Sequence, residues 1–402
     1  MKEGWEYKKI DDISTIVGRI GFRGYTKNDL VSKPELGAIT LSPSNIINGE
    51  LSFEKCSYIS LKKYEESPEI MLAEGDVVLV KTASIGKCSI VRSLPHKATL
   101  NPQFVVFKNI KIDNEYFNYY IKSPYFQKSL KTIVGGVAIP TLSQKKLGQL
   151  EIYFPTSYDE QRRIVSYLDL SFKLIDEIKN KALKSLTEAK ALFQSALAEA
   201  MEPKEGWEEK TLGEIAEIKG GKRVPKGYKL LTEPTNHKYI RVADFNDFGS
   251  ITLENIQYIS DEVYNQIKRY TISSKDVYIS IAGTIGKSGI IPKELEGANL
   301  TENACKLVLD SCAYKYFVYY FTKSTLFLNQ IKKLTMISAQ PKLALTRLAT
   351  VNIPLPPLPT QKLIVSHLDK LSSKVRTIEE KYQKMVEECD ALKQAMLRDV
   401  FE

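Results

Sequence analysis

The sequence has no long run of apolar residues. No segment approaches the roughly 18 apolar residues that a membrane-spanning helix needs, and the opening MKEGWEYKKIDD carries no apolar signal segment. Cysteine is scarce as well, with five residues and no CxxC spacing among them. We therefore expect a cytoplasmic protein with reduced thiols, no association with a membrane, and no disulfide or zinc framework.

Histidine is almost absent, which limits the catalytic chemistry. His96, His237 and His367 stand isolated, so neither a metal cluster nor a histidine-based catalytic triad is supported. Two further motifs are incomplete. Asn101-Pro-Gln-Phe104 lacks the second proline of the Asn-Pro-Pro-Phe motif of adenine methyltransferases, and Gly286-Lys287-Ser288 lacks the glycine that a phosphate-binding loop needs at position 281. No catalytic residue is predicted.

The chain is long, rich in hydrophobic residues and positively charged. Its 402 residues exceed the size at which one hydrophobic core usually stops growing, and 43% of them are hydrophobic. Two or more folded domains are therefore expected. The formal net charge of +9 favours a polyanionic partner such as a nucleic acid. A basic protein with no nucleic-acid role is the alternative on charge alone.

The chain repeats itself at an offset of about 200 residues. Gly4-Trp5-Glu6 returns as Gly206-Trp207-Glu208, and these hold the only two tryptophans. Three further landmarks recur in the same order in both halves. They are Asp76-Val77 and Asp276-Val277, then Ile85-Gly86-Lys87 and Ile285-Gly286-Lys287, then the pattern Gln-x-x-Ile-Val-Ser-x-Leu-Asp starting at Gln161 and Gln361.

Each half has the same internal order. Short β-rich and aromatic segments, such as 76–81 and 276–280, are separated by Gly, Asn and Pro turn signals. A proline-bearing connector follows, at 152–156 and 353–359, and the composition then becomes helical. The predicted fold class is α+β, with globular α/β domains at 1–157 and 202–357 and long helices at 158–201 and 358–402.

Both helices carry an apolar repeat with spacings of three and four residues, which is typical of a coiled-coil seam. The first helix has more small residues at these positions, so a partner helix can approach closely. The seam positions are Ile364, Leu368, Leu371, Val375, Ile378, Tyr382, Met385, Cys389, Leu392 and Met396 in the second helix, and Ile164, Leu168, Ser171, Ile175, Ile178, Ala182, Ser185, Ala189, Leu192 and Ala196 in the first.

The length of the first helix predicts where the second domain lies. About 40 helical residues span roughly 60 Å, and the connector at 202–205 is too short to return along that distance. The two domains should therefore stand at opposite ends of an antiparallel, pseudo-two-fold coiled coil. Two separate amphipathic core helices are the alternative.

Two equivalent modules on a helical spacer suit duplex DNA, because dimeric readers place their half-sites about one helical turn apart. The loops between the shared landmarks differ, as at 17–24 and 219–226, which favours two different half-sites. The ordered, duplicated set of landmarks resembles the specificity subunit of type I restriction-modification systems. The paired Gly-Trp starts, the Asp-Val strands leading into Ile-Gly-Lys, the proline connectors and the helix openings carry this resemblance over essentially the whole chain.

The resemblance implies that each globular domain is a target-recognition domain for one half of an asymmetric bipartite site on double-stranded DNA. It also implies that helix length fixes the gap between the half-sites, and that the helices dock two modification methyltransferase subunits, which restriction/translocase subunits join. S-adenosylmethionine, ATP and Mg would then act on those partner subunits. This chain would be a non-catalytic DNA-recognition subunit without a cofactor.

Phosphate contacts should come from Lys, Arg and loop amides, and base contacts from polar residues at loop tips. Glycine pairs would allow close backbone approach. The candidates are Arg19, Arg23, Lys27, Lys81, Lys87, Gly135 and Gly136 in the first domain, and Lys222, Arg223, Lys226, Arg241, Lys287, Ser338 and Gln340 in the second. For each one a solvated surface residue is the alternative, and for Lys87 and Lys287 a structural turn after a strand.

Two other functions stay open from the sequence. A methyltransferase would transfer methyl groups as the purified chain alone. A non-catalytic coiled-coil scaffold would bind protein or RNA and show no preference for a split DNA site.

Overall fold

The computed structural model describes residues 3–32, 34–135, 140–246, 249–335 and 341–402. The chain forms two compact units, and each contains one globular domain and parts of both long helices. The first unit comprises Met1–Leu183 and Lys384–Glu402, and the second comprises Lys184–Gln383. The four consecutive segments expected from the sequence stay a prediction, because compactness divides each long helix between the two units.

The first unit is built of short strands and helices that precede one long helix. Its strands are β1 Trp5–Lys9, β2 Thr15–Val17, β3 Leu30–Val31, β4 Gly37–Leu41, β5 Ile46–Ile47, β6 Glu50–Leu51, β7 Ser57–Ser60, β8 Val77–Val80, β9 Cys88–Ile90, β10 Ala98–Leu100, β11 Phe104–Lys108, β12 Val134–Gly135, β13 Thr141–Leu142 and β14 Glu151–Pro155. Its helices are α1 Ile10–Ile13, α2 Leu61–Glu65, α3 Asn114–Lys122, α4 Pro124–Thr132, α5 Gln144–Gly148 and the start of α6 Tyr158–Ala200.

The second unit repeats most of this order. Its strands are β15 Glu208–Thr211, β16 Ala216–Gly220, β17 His237–Ile240, β18 Gln257–Ile259, β19 Val277–Ser280, β20 Ser288–Ile290, β21 Asn299–Leu300, β22 Ala304–Leu309 and β23 Asn352–Leu355. Its helices are α7 Leu212–Ile215, α8 Asp261–Ile267, α9 Lys315–Lys323, α10 Thr325–Leu334, α11 Leu345–Leu348 and α12 Leu358–Phe401, of which α12 extends into the first unit.

A four-stranded antiparallel sheet forms the centre of each unit, in the order β2-β11-β8-β9 in the first and β16-β22-β19-β20 in the second. The predicted strands at 76–81 and 276–280 form β8 and β19, which are fully buried strands of these sheets. A second sheet pairs β4 with β10 in the first unit, and β17 with β21 in the second, in parallel. The repeat seen in the sequence is therefore a repeat of sheet topology.

The central strands are buried on both faces. In β8, Val77 and Leu79 belong to the core that contains α3 and α4, whereas Val78 and Val80 belong to the core under the second sheet. In β19 the same alternation holds, with Val277 and Ile279 on one side and Tyr278 on the other. Successive strand residues point to opposite faces, so a continuous apolar run is needed here.

The recurring Gln-x-x-Ile-Val-Ser-x-Leu-Asp pattern joins each long helix to its globular domain. The buried amide of Gln161 donates to Pro155 O at 2.8 Å and accepts from Asp113 N at 2.7 Å. Gln361 likewise donates to Pro356 O and accepts from Tyr314 N. Both glutamines therefore tie the start of a long helix to the start of a helix in the domain.

The same pattern ends in an aspartate that makes a second joint. Asp169 accepts a hydrogen bond from the Tyr119 hydroxyl at 2.6 Å, and Asp369 accepts one from Tyr320, also at 2.6 Å. Burial, and then the adjacent aspartate, raise the pKa of both tyrosine hydroxyls, so each stays protonated and remains a donor. These contacts explain why the pattern recurs.

The helices pair antiparallel within each unit. In the first unit Lys179 contacts Asp390 and Lys393 contacts Asp176, both at 2.6 Å, so positions rise on one helix as they fall on the other. The end of α12 inserts Phe401 against Tyr116 and Tyr120, with ring centroids 5.4 Å apart. In the second unit Lys190 lies 4.0 Å from Glu379, and the end of α6 adds Leu197 and Met201 to the core that contains Val365 and Leu368 at the start of α12.

Two details of the sequence prediction were wrong. The connectors at 152–156 and 353–359 begin as strands, since β14 pairs with β1 and β23 pairs with β15. Five residues that were predicted to lie in the buried seam between the helices are exposed to solvent, because only part of the apolar repeat forms the seam. They are Ile178 at 49% exposed, Leu192 at 61%, Ile378 at 37%, Met385 at 39% and Leu392 at 51%. No helix within the described residues is long and apolar enough to cross a membrane.

Candidate nucleic-acid interface

Three segments of the first unit meet at one end of the central sheet. Lys81, just after β8, donates its backbone N–H to Gln103 O at 2.7 Å, and its carbonyl accepts from Leu142 N at 2.9 Å. Gly135 pairs with Thr141 in the β12–β13 hairpin. We call this group, comprising residues 81–87, 101–103, 134–135 and 140–142, the first edge. It brings the predicted residues Lys81, Lys87 and Gly135 together.

The second unit builds an equivalent edge from equivalent segments. Ile281 N donates to Asn303 O at 2.8 Å, and Leu343 N donates to Ile281 O at 2.9 Å. An isolated bridge joins Ala282 to Lys342. The second edge comprises residues 281–287, 301–303 and 341–343. Because backbone hydrogen bonds make both edges, their geometry can persist while the side chains differ.

Lys81 is the clearest cationic candidate in the first edge. Its side chain is half-buried, and this burial lowers the pKa of its ammonium group. Among the described residues no carboxylate forms an ion pair with it. A partly desolvated cation without a carboxylate partner is stabilised by an incoming phosphate. Its position is therefore suited to a DNA backbone contact.

The Ile-Gly-Lys repeat closes the hairpin loop of each edge. Gly86 and Gly286 have φ of +94° and +89°, where an added Cβ would lie 2.2 Å from Gln127 Oε1 and 2.5 Å from Ile331 Cδ1. The lysines that follow differ. Lys87 is exposed, whereas Lys287 is half-buried and donates to Phe245 O at 2.8 Å. A structural turn accounts for the shared motif, and a shared phosphate contact stays a prediction.

Two of the predicted arginines brace the fold. Arg19 is 5% exposed and donates to Leu100 O, Thr99 Oγ1 and Arg23 O. Arg241 holds the buried carboxylate of Asp244 through two hydrogen bonds and also donates to Asn255 O. Contact with DNA would require these groups to leave internal partners.

Other predicted cations are more accessible. Lys27, Lys222 and Lys226 are exposed, and the ammonium of Lys222 lies 5.7 Å from the Tyr270 ring. Arg223 is 77% exposed at its side chain and contacts Glu302 in the second edge at 2.6 Å.

Arg23, the remaining cation of the first unit, lies 3.5 Å from Glu69. Exposure and position thus leave Lys222 and Arg223 beside the second edge, while Lys27 and Arg23 lie outside the segments that form the first.

Three predicted residues, Gly136, Ser338 and Gln340, lie outside the described residues. Gly135 is exposed, and no atom of the described residues lies within 4 Å of the position a Cβ would take. Its packing therefore leaves room for close approach of a partner, although the fold itself does not demand glycine there.

Sequence reasoning missed the central turn of each edge. Gln103 and Asn303 are half-buried, and Lys342 is exposed in the second edge. The only sequence signal was the incomplete methyltransferase motif. The Asn101 side chain there accepts from Gln103 N at 2.9 Å and donates to the Gln103 side chain, so the segment is a turn between β10 and β11.

The described part of the chain offers no metal site, since no three His, Cys, Asp or Glu side chains converge within it. His237 contacts Asp261 at 2.8 Å and stacks on Tyr264. His96 accepts a hydrogen bond from Lys97 N, and His367 is exposed. The histidines thus occupy three unrelated environments.

The duplicated edges coincide with a duplicated family match. The model of the type I restriction modification DNA specificity domain matches residues 2–188 and again residues 204–388. The chain belongs to this family. Each match includes a globular domain and most of the long helix that follows it, so the specificity domain, as a sequence unit, contains one edge and one Gln-to-Asp joint.

Curated specificity subunits of type I restriction enzymes are similar over much of the chain. The MjaVIII specificity subunit of Methanocaldococcus jannaschii is 26% identical over 343 residues, covering 79% of this chain and 77% of that protein. The MjaIX specificity subunit of the same organism is 24% identical over 399 residues, covering 92% and 87%. The EcoBI specificity subunit of Escherichia coli is 26% identical over 166 residues, covering 40% and 34%.

Solved structures support the fold. A chain from a study of complex assembly and conformational transition of the type I R-M system has a TM-score of 0.78 at 20% identity and covers 100% of this chain and 98% of its own. The HsdS subunit from Thermoanaerobacter tengcongensis has a TM-score of 0.54 at 19% identity, covering 100% and 97%. The specificity-subunit fold with two domains and long helices is therefore the fold of this chain.

Proposed function

We propose that this chain reads an asymmetric, bipartite site on double-stranded DNA, with one half-site for each unit. The observation that carries the proposal is the pair of edges, which share a backbone frame and differ in their side chains. Lys81 and Gln103 of the first edge correspond to Ile281 and Asn303 of the second, and Thr141 of the first corresponds to Lys342 of the second. A shared frame supplies the same approach to the phosphate backbone, while different side chains read different bases.

The long helices dock two modification methyltransferase subunits in this proposal, and restriction/translocase subunits join that complex. The joints formed by Gln161 and Gln361 support it, because they fix each helix to the domain that meets the DNA. A methyltransferase bound to the helix would then be held at a defined place relative to the half-site. Such positioning is what a separate catalytic subunit requires.

Chemistry belongs to the partner subunits in this proposal. They bind S-adenosylmethionine, ATP and Mg, whereas this chain contributes recognition and placement. The Asn101 side chain supports this division, since its amide is engaged by Gln103 and thus is not presented to an extruded base. Methyl transfer by the purified chain at saturating S-adenosylmethionine would contradict the non-catalytic assignment.

Long-read methylome sequencing of a host strain with and without this gene tests the proposed function. We expect methylated adenine at one split motif in the parent strain and its loss on deletion. An unchanged methylome, in a strain that expresses both this chain and its methyltransferase partner, would contradict DNA recognition and would favour a scaffold that binds protein or RNA.

A further inference from the structure

The first unit exposes a continuous apolar strip on α6. Tyr167, Leu170, Leu174 and Ile178 are 55%, 61%, 52% and 49% exposed, although each is large and apolar. Their spacing of three and four residues places them on one side of the helix, next to the buried seam that contains Leu168 and Ile175. Exposed apolar strips of this kind mark interaction surfaces.

The paired segment of α12 continues this surface. Met385 and Leu392 are 39% and 51% exposed. Since the helices run antiparallel here and these residues flank the buried Cys389 as the strip on α6 flanks Ile175, the two sets fall on the same side of the pair. We call Tyr167, Leu170, Leu174, Ile178, Met385 and Leu392 the first face.

The second unit replaces most of this strip by positive or titratable groups. Its α12 has His367, Lys370, Lys374 and Ile378 at the repeat positions of the four residues on α6. His367, Lys370 and Lys374 are exposed, and no residue in the described part of the chain forms an ion pair with them. On α6 the second unit keeps one apolar residue, Leu192 at 61% exposed, at the repeat position of Leu392. We call His367, Lys370, Lys374 and Ile378, together with Leu192, the second face.

The difference between the faces matters because one kind of partner must use both. This inference rests on the proposed function, in which two identical methyltransferase subunits bind one chain. Burial of Leu170 and Leu174 is driven by the hydrophobic effect, which salt does not screen. Attraction between Lys370 or Lys374 and partner carboxylates is screened strongly once the Debye length falls to a few ångströms.

We propose that the two methyltransferase-docking faces are unequal, so that the subunit on the second face is held by salt-sensitive charge and leaves before the subunit on the first. The partner surface must suit both faces, which requires an apolar centre bordered by Asp or Glu. The complex therefore passes through a state with one methyltransferase, and that subunit remains on the first face.

The test titrates this full-length chain with the purified modification methyltransferase subunit of its own system and follows stoichiometry by native mass spectrometry and light scattering. We expect two subunits per chain in dilute salt, and affinity at the weaker site that falls about tenfold between about 0.1 M and about 1 M salt. Hydrogen exchange should then show amides of residues 363–378 deprotected, while residues 167–178 stay protected.

Variants that exchange apolar and positively charged residues between the two faces make the test more specific. Lys370→Leu with Lys374→Leu should make the second site resist salt, and Leu170→Lys with Leu174→Lys should make both sites salt-sensitive. The control is Arg376→Leu against Lys374→Leu, since each removes one positive charge but the two side chains point to opposite sides of α12. Only Lys374→Leu should alter the salt dependence.

Each other outcome overturns the inference in a distinguishable way. Release of both subunits in one step, unaffected by the exchanged residues, would refute unequal faces and leave the proposed function standing. Failure of any methyltransferase to bind would refute the docking role itself, and with it the inference. Self-association that Leu170→Lys abolishes, with methyltransferase stoichiometry unchanged, would assign the first face to a second copy of this chain.

Discussion

At the scale of single residues, the environment decides which of several similar cations can meet DNA. In the sequence, Arg19 and Lys81 were equal candidates for a contact with DNA. In the structure Arg19 is 5% exposed and bonded to Leu100 O, whereas Lys81 is half-buried at the first edge with a lowered pKa. Both residue types could be predicted, but the partners of Arg19 lie on a chain segment about 80 residues away.

This difference predicts opposite phenotypes for two substitutions. Lys81→Met should weaken binding to every DNA sequence alike and lower the salt slope by about one, since one phosphate contact is lost. Arg19→Met should instead destabilise the fold by about 1–3 kcal/mol, because it leaves buried acceptors without donors. Fluorescence anisotropy across salt concentrations and thermal melting separate the two effects. If Lys81→Met instead lowered the melting temperature and left DNA binding unchanged, Lys81 would have a structural role like that of Arg19, and the predicted phosphate contact would be wrong.

At the scale of elements, the sequence predicted where helices and strands form better than it predicted which elements pair with each other. The apolar runs at 76–81 and 276–280 formed strands, as expected, and the long helices Tyr158–Ala200 and Leu358–Phe401 lie within the expected ranges. The strand character of the connectors was missed, because it depends on pairing with β1 and β15 at the start of each half. The seam was overextended, since an apolar repeat alone does not show which side meets a partner.

The Gln361 joint should be a large contribution to the attachment of α12. Gln361→Ala leaves Tyr314 N, Cys312 O and Pro356 O without their partner, all from a buried position. We expect a loss of about 1–3 kcal/mol and faster hydrogen exchange at the start of α12. Gln394→Ala, at an exposed position of the same helix, should change neither. Equal effects of both substitutions would show that the joint is not structural.

The antiparallel pairing in the first unit can be tested by exchanging the two charges of one interhelical ion pair. Lys179→Asp and Asp390→Lys should each destabilise the first unit by up to about 1 kcal/mol, because both side chains are partly exposed. Together they should restore most of the loss, and high salt should shrink both effects. Denaturant melts of the single and double variants measure the coupling energy. Additive losses in the double variant would contradict this pairing.

At the scale of the whole molecule, the duplication was the most informative feature of the sequence. It indicated two equal frames, and the structure contains them as the two edges with their joints. In the proposed function, the bases that each edge reads cannot be derived from the sequence, because the two edges share a backbone frame but no common side-chain code. The separation of the two domains by the coiled coil, and with it the gap between half-sites, stays a prediction.

In the proposed function, each unit reads its own half of a split site. The most direct measurement of this is the methylome of a strain in which residues 202–357 of this chain are replaced by the equivalent domain of a related specificity subunit, compared with the unaltered strain. We expect one half of the methylated motif to be unchanged and the other half to be replaced. Loss or retention of the entire motif, in a chain that still assembles with its methyltransferase, would contradict independent reading by the two units.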